Sequence, residues 1–305
     1  MQDFRTETFL DVCDTLSYTR TAQRLNITQP AVSQHISHLE SAYGAKLFDY
    51  RNRRLSLTKA GEVLRDALAV MVHDERLVKE RIASLSGARR TLGFGVTMTA
   101  GEYVIARPLA RFLLQRPDLQ VRIVASGTED LLAMLHEGSL DCALVEGFFD
   151  KGEYDGSVFC TEELVAVCAP GSDLAEAPRS LEDLLGEHLV VREDGSGTRA
   201  VLEHALAARN LSLDGFARTT EVTSINIIKT LVANGYGIAF LYESAVRADC
   251  EAGVLQKIEL AEPPISHDMT FIWLKGSLFE SEFRGLVGDL ASCAYASECG
   301  DAPSS

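Results

Sequence analysis

Gln29, Pro30, Ser33, Gln34 and Ser37 are the residues of this chain whose types and spacing best suit recognition chemistry. Rotation by 100° per residue places Pro30, Ser33, Gln34 and Ser37 on one face of a helix. Val32, Ile36, Leu39 and Tyr43 recur at the spacing of the opposite, inward face. Gln29 and Gln34 each donate and accept, which suits bidentate contact with adenine in a DNA major groove. Ser33 and Ser37 are short enough to reach base edges or phosphates. His35 and His38 also share a face, but no Cys, Asp or Glu cluster accompanies them, so metal ligation is not expected.

The elements that must position this face are readable around it. Phe9, Val12, Cys13 and Leu16 form the apolar stripe of a first helix. Ser17 caps a short second helix over 18–25, in which Ala22 is small enough for close approach of a neighbour. Asn26-Ile27 makes the turn, Thr28 is the next N-cap, and Pro30 sits in the first turn of the third helix, where its missing N–H costs little. After Gly44, Leu55 and Leu57 alternate like a strand, putting Arg51, Asn52, Arg53 and Arg54 at the tip of a two-stranded wing. Arginines there can enter a minor groove or hold phosphates. With Thr19 and Thr28 they complete the DNA-facing candidates. The plainer alternative is a three-helix bundle with a polar outer face and a solvated arginine loop.

From Thr58 a long helix runs to about residue 86. Leu64, Leu68, Met71, Glu75, Val78, Ile82 and Leu85 follow a heptad spacing with one charged interruption. Such a seam needs a partner, either the chain's own C-terminal half or the same helix of a second subunit. The regular spacing favours the second, which would present two recognition helices to two half-sites. Residues 87–90 read as a hinge.

Beyond it, strands at 92–97, 121–125, 141–145, 163–169, 188–192, 217–221, 237–241 and 269–274 alternate with helices, which predicts an α/β architecture of mainly parallel strands in two lobes. Hydroxyl residues collect where such strands end and helices begin: Thr97-Met98-Thr99, Ser126-Gly127-Thr128, Ser196-Gly197-Thr198 and Thr223-Ser224. Each is either an N-cap or a ligand contact. Several positive helix ends converging on one cleft favour a small anion, with Arg199 adding charge. The sequence carries no P-loop, HExxH, dinucleotide fingerprint or nucleophile–base pair, so nothing supports an enzyme or a cofactor.

The chain has 305 residues and a net charge of −15. The charge is divided. Residues 1–90 carry 14 basic against 11 acidic residues, leaving 15 against 33 in the remainder. Attraction to phosphate acts within about 8–10 Å, so an acidic C-terminal part is compatible with a DNA-binding N-terminal part. No apolar run is long enough to span a bilayer and the N-terminus has no signal-peptide pattern, which predicts a cytoplasmic protein. Seven scattered cysteines (Cys13, Cys142, Cys160, Cys168, Cys250, Cys293 and Cys299) contain no CxxC and read as reduced thiols. A redox switch would need an exposed cysteine of low pKa.

Ser17-Tyr18-Thr19-Arg20-Thr21-Ala22, Gln29-Pro30-Ala31-Val32-Ser33, Leu39-Glu40, Leu47-Phe48 and Leu57-Thr58-Lys59-Ala60-Gly61, with the later Ala233-Asn234-Gly235-Tyr236-Gly237-Ile238-Ala239, give the chain a resemblance to the LysR-type transcriptional regulators over essentially its whole length. The resemblance implies an N-terminal all-α winged helix-turn-helix at 1–58. A linker helix and hinge at 59–90 would follow, then a two-lobed, periplasmic-binding-protein-like α/β effector domain at 91–297. Its lobe I would span about 91–164 and 267–297, its lobe II about 165–266, and 298–305 would be a disordered tail. It implies a dimer, assembling as a dimer of dimers on promoter DNA, in which a small metabolite alters DNA bending or contact with RNA polymerase; the segment Gly195-Ser196-Gly197-Thr198-Arg199, similar to one in some members, implies an organic acid or oxyanion as that metabolite. Carried over by position, Gln29, Pro30, Ser33 and Gln34 face the groove, Arg53 and Arg54 sit in the wing, and Thr97, Thr99, Ser126 and Thr198 line the cleft. Two departures stand out: Tyr50 where the family usually has Arg, and Tyr242 where it often has Pro. Two other readings are a cysteine-based redox sensor and a small-molecule-binding or enzyme domain carrying a non-functional helical appendage.

Overall fold

A computed structural model of the chain describes residues 3–51, 54–85 and 91–295. The hinge expected at 87–90 and the tail at 298–305 lie outside the described residues. The fold comprises two compact units. One gathers the N-terminal helices and the long helix together with residues 136–139 and 274–279; the other holds 91–135, 140–273 and the residues from 280 onward.

In the first unit, α1 (Phe4–Thr15), α2 (Tyr18–Arg24) and α3 (Gln29–Tyr43) are capped as their sequence dictates. The side chains of Asp3, Ser17 and Thr28 accept from Arg5 N, Arg20 N and Ala31 N. Phe9, Val12, Ala22, Val32, Ile36, Leu39, Leu47, Phe48, Leu64 and Leu68 form one core. Two expected members are absent from it. Leu16 is the left-handed C-cap of α1 (φ 45°) and turns outward. Tyr43 keeps the helical period but is 57% exposed, because α3 stops at Gly44 beyond the edge of the core. β1 (Phe48–Arg51) pairs antiparallel with β2 (Arg54–Leu57), Phe48 opposite Leu57. This is the expected wing.

The long helix α4 (Lys59–Leu85) divides the expected seam. Leu64 and Leu68 are buried in the N-terminal core, whereas Met71, Val78, Ile82 and Leu85 are exposed. A second face holds buried His73, Asp74 and Leu77. Asp74 there accepts from Ser277 Oγ (2.6 Å) and Leu278 N (2.8 Å), which explains why residues 274–279 belong to this unit.

The second unit is α/β and two-lobed. Its elements are β3 (Thr91–Val96), a π-helical turn (Ala100–Ile105), α5 (Ala106–Gln115), β4 (Gln120–Ala125), α6 (Thr128–His136) and β5 (Cys142–Val145). They continue with β6 (Tyr154–Cys168), β7 (His188–Arg192), α7 (Gly197–Ala207), β8 (Arg218–Val222) and α8 (Ile225–Ala233). β9 (Ala239–Tyr242), α9 (Glu243–Glu251), β10 (Gln256–Ile258), β11 (Ile265–Leu274) and α10 (Glu280–Tyr295) complete it. The main sheet runs β10-β6-β11-β5-β3-β4, with β9 also on β6, and β7 pairs with β8. β3 is parallel to β4 and β5, and β7 to β8, but β6 is antiparallel to β9 and β10, and β11 to β5. The sheet is therefore mixed, not mainly parallel. The long strands β6 and β11 run through it as chain crossings, without the βαβ connection that enforces parallel pairing. α9 and β10 were not expected from the sequence.

Candidate functional site

The polar face of α3 forms as its spacing requires. Burial of Val32, Ile36 and Leu39 turns Gln29, Pro30, Gln34 and Ser37 to the exterior and leaves Ser33 half-buried. Thr19 and Thr28 are exposed too, and Thr28 Oγ1 also caps α3. α2, α3 and the wing enclose a groove of about 1010 Å³, lined among others by Tyr18, Thr19, Gln29, Ser33, Ser37, Tyr50 and Arg54. Tyr50, where the family usually has Arg, projects from the wing and is exposed, as is Arg54. Arg53 and the side chain of Arg51 lie outside what the structure describes. His35 and His38 are engaged by α1. Thr8 Oγ1 lies 2.9 Å from His35 Nδ1, and Arg5 Nη1 lies 2.9 Å from His38 Nε2. Among the described residues no group of three His, Cys, Asp or Glu could hold a metal.

The wing is held against α4 by one threonine. Thr58 Oγ1 donates to the carbonyls of Lys46 (2.6 Å) and Leu47 (3.3 Å) and accepts from Gly61 N (3.0 Å). Glu40 completes the clamp, accepting from Leu47 N (3.0 Å) and Lys46 Nζ (2.6 Å).

In the second unit the hydroxyl junctions divide into caps and a cluster. Ser224 is a cap, accepting from Ile227 N. Ser126 donates to Asp130 Oδ2 (2.6 Å). Thr97 and Thr198 converge on a residue that sequence reasoning missed, Glu146. Its Oε2 accepts from Thr97 Oγ1 (2.9 Å) and its Oε1 from Thr198 Oγ1 (3.1 Å); Thr99 Oγ1 lies 3.2 Å from Thr198 Oγ1. Glu146 follows β5 directly and is 2% exposed. Burial pushes its carboxyl pKa up, against the lowering effect of the threonine hydroxyls and Arg192.

Gly197 opens α7 against this carboxylate; a Cβ there would lie 2.5 Å from Glu146 Cγ and 3.1 Å from Gly147 N. Ser196, expected as either cap or contact, makes no cap bond. Its Oγ, Thr128 Oγ1, Arg192 Nη1 and the Tyr242 hydroxyl are buried atoms without a hydrogen-bond partner. Met98 is partly exposed and Gly127 exposed. Arg199 does not add charge to the cleft, because Glu203 and Glu221 already pair with it, each at 2.8 Å. The first of these is a helix i,i+4 partner and the second comes from β8. Glu146 had a signal, an acid directly after a fully apolar strand, at the strand end where α/β folds bind ligands.

Two family models match the chain, "Bacterial regulatory helix-turn-helix protein, lysR family" over residues 5–62 and "LysR substrate binding domain" over 86–290. The chain belongs to the LysR family of transcriptional regulators. It carries that family's helix-turn-helix and effector-binding domains. The HTH-type transcriptional regulator CysL of Bacillus subtilis is 29% identical over 245 residues, covering 80% of this chain and 81% of CysL. Full-length LysG of Corynebacterium glutamicum, solved with the effector Arg bound, superposes with a TM-score of 0.64 at 22% identity over 96% of this chain and 98% of LysG. The regulatory domain of CcmR from Synechocystis PCC6803, solved in complex with 2-PG, gives 0.59 at 22% identity over 66% of this chain and 96% of that domain. These two structures establish the likeness of fold.

Four of the described cysteines have raised thiol pKa values. Burial first, and neighbouring carboxylates second, push the Cys13 and Cys160 thiols up to about 12; burial also raises Cys168 and Cys250. Among the described residues no helix is long and apolar enough to cross a membrane.

Proposed function

We propose that this LysR-type regulator binds double-stranded promoter DNA through α3 and the wing, under control of a small metabolite in the cleft of the second unit. Residues 1–58 read DNA, 59–90 pair subunits, and 91–297 bind the effector. Gln29, Pro30, Ser33, Gln34 and Ser37 face the major groove; Thr19, Thr28, Arg51, Arg53 and Arg54 engage the backbone or minor groove. The observation that carries this reading is the burial of Val32, Ile36 and Leu39, with Gln34 and Ser37 left exposed. The exposed row Met71, Val78, Ile82 and Leu85 supports pairing of α4 with a second copy, and two such dimers fit a promoter of repeated half-sites. The effector carries an acidic group, held at Thr97, Met98, Thr99, Ser126, Gly127, Thr128, Ser196, Gly197 and Thr198. Its binding alters contact with DNA or RNA polymerase in the cytoplasm. LysG and CcmR, with Arg and 2-PG in their solved structures, support a small charged effector. No enzymatic step is assigned, and the raised thiol pKa values speak against cysteine oxidation as the signal.

The test is gel-shift titration on the intergenic DNA beside the protein's own gene at two salt concentrations. A sequence-dependent complex that weakens with salt is expected. Gln34→Ala is expected to weaken it about tenfold, since one bidentate base contact contributes roughly 1–3 kcal/mol. A complex without sequence preference, or none, overturns the reading.

A further inference from the structure

Glu146 is an uncommon group to find among hydroxyls expected to hold an acid. It is buried, and among the described residues it makes no ion pair. The cation that acts on it is Arg192, at the end of β7. That guanidinium is already spent on Glu193, donating from Nε and Nη2 at 2.8 Å each. The other titratable groups around Glu146 supply no positive charge. Tyr242 ends β9 and is buried beside both Glu146 and Glu162; His267 is hydrogen-bonded to the backbone at Glu146 and Gly147, and burial lowers its pKa. Ionised, the cluster of Glu146, Arg192 and Glu193 has one negative charge in excess.

A buried carboxylate without a cation is costly, and a second negative charge beside it costs more. Four polar atoms nearby still lack partners: Arg192 Nη1, Ser196 Oγ, Thr128 Oγ1 and the Tyr242 hydroxyl, on residues more than nine-tenths buried. Thr128 and Ser196 stand at the start of α6 and α7, where the positive helix ends favour a carboxylate. These residues thus offer an acceptor of negative charge and, separately, a carboxyl whose ionised form lacks a counter-charge.

We propose that the cleft takes a zwitterion, an α-amino acid, with Glu146 as counter-charge to the ammonium. The carboxylate lies on Ser196, Thr128 and Arg192 Nη1. This inference rests on the effector reading of the cleft given above. It sets the sign of proton exchange. An ammonium favours ionised Glu146, so binding releases protons. An amine-free acid requires protonated Glu146, so binding takes protons up.

The test uses the full chain. The twenty common L-amino acids and the corresponding amine-free 2-hydroxy and 2-oxo acids are screened by thermal shift. Hits are titrated by calorimetry at pH 7 in phosphate and in Tris, whose ionisation heats differ. An amino acid is expected to bind, any accompanying proton exchange being release, and its amine-free counterpart at least about 30-fold more weakly. Glu146→Gln is expected to reduce that discrimination at least about tenfold and abolish any such release. Because the comparison of the two ligand classes is made on the unaltered protein, it stands even if the variant folds poorly. Amine-free acids binding as well as or better than amino acids, with proton uptake, overturn the zwitterion and leave the effector cleft standing. Binding by neither class overturns the zwitterion as well, and the effector reading then rests on oxyanions and other organic acids in the same thermal-shift assay.

Discussion

Gly61→Ala tests whether the wing is set by contact with α4. A Cβ at Gly61 would lie 2.1 Å from the Leu47 carbonyl oxygen and 2.7 Å from Leu57 Cδ2. The leucine side chain can rotate away, but the carbonyl is backbone and must retreat by roughly 1 Å to reach even the tightest real contact. That carbonyl accepts from Thr58 N (3.0 Å) and Thr58 Oγ1 (3.3 Å). Losing both costs about 2 kcal/mol at about 1 kcal/mol each. Repacking buried Leu47 adds about 1–3 kcal/mol. Alanine returns about 1 kcal/mol through helix propensity. The net is a destabilisation of about 3 kcal/mol, a large part of the roughly 5–15 kcal/mol that holds a domain folded.

The single tryptophan makes the assay specific. Trp273 belongs to the second unit, so its fluorescence reports that unit, whereas far-ultraviolet ellipticity reports both. In urea, Gly61→Ala is expected to lower the midpoint of part of the ellipticity change by about 2 M, at a slope of about 1.5 kcal/mol per M. The fluorescence midpoint should stay in place. Gly285→Ala is the control: that glycine lies in α10 of the second unit with nothing within 4 Å of an added Cβ. It is expected to stabilise by up to about 1 kcal/mol and to raise the fluorescence midpoint. A Gly61→Ala protein with an unchanged ellipticity profile would refute the reasoning.

Two further outcomes follow from other parts of the molecule. Replacing Met71, Val78 and Ile82 together by Lys puts charge along the exposed row of α4 while leaving Leu64 and Leu68 untouched; sedimentation is expected to move from dimer or larger to monomer, and an unaltered assembly would remove α4 from the interface. Because the folded pKa of Glu146 is raised, the folded state holds that proton more tightly, so its contribution is complete below the ordinary value of 4.5 and is lost as pH rises through the folded pKa. Unit-two stability of the wild type, read by Trp273 fluorescence in urea, is therefore expected to fall relative to Glu146→Gln as pH rises above 4.5; a difference independent of pH would contradict this.

The features legible in the sequence were those in which one local rule decides the outcome. Ser17, Thr28 and Thr58 each cap a helix because a short hydroxyl side chain before an apolar period has few better uses. The period of Val32, Ile36 and Leu39 fixed which side of α3 is hidden, and so which side is offered to a ligand. The same period misled at Tyr43, since a helical repeat says where a side chain points and nothing about where the core ends. It was incomplete for α4, whose single heptad row serves two purposes: its first leucines fill the helix-turn-helix core and its later members face outward.

Sheet order was not legible because β6 and β11 run long, β6 antiparallel to β9 and β10 and β11 antiparallel to β5, without a turn signature that names the partner. A buried period-2 strand reads the same in either direction. The cleft was legible only in part, for a different reason. Hydroxyl residues at strand ends pointed to Thr97, Thr99 and Thr198, but the group they organise is an acid. Composition places Glu on surfaces, and the acidic C-terminal part has many that lie there. What sets Glu146 apart is Gly197 on the far side of the cleft, whose missing side chain lets α7 close onto the carboxylate. That pairing, a glycine and a glutamate separated by fifty residues, is visible only once the chain is folded. A side chain at 197 would collide with Glu146, so the close approach of α7 to that carboxylate depends on a residue type that no local rule of helix or strand singles out.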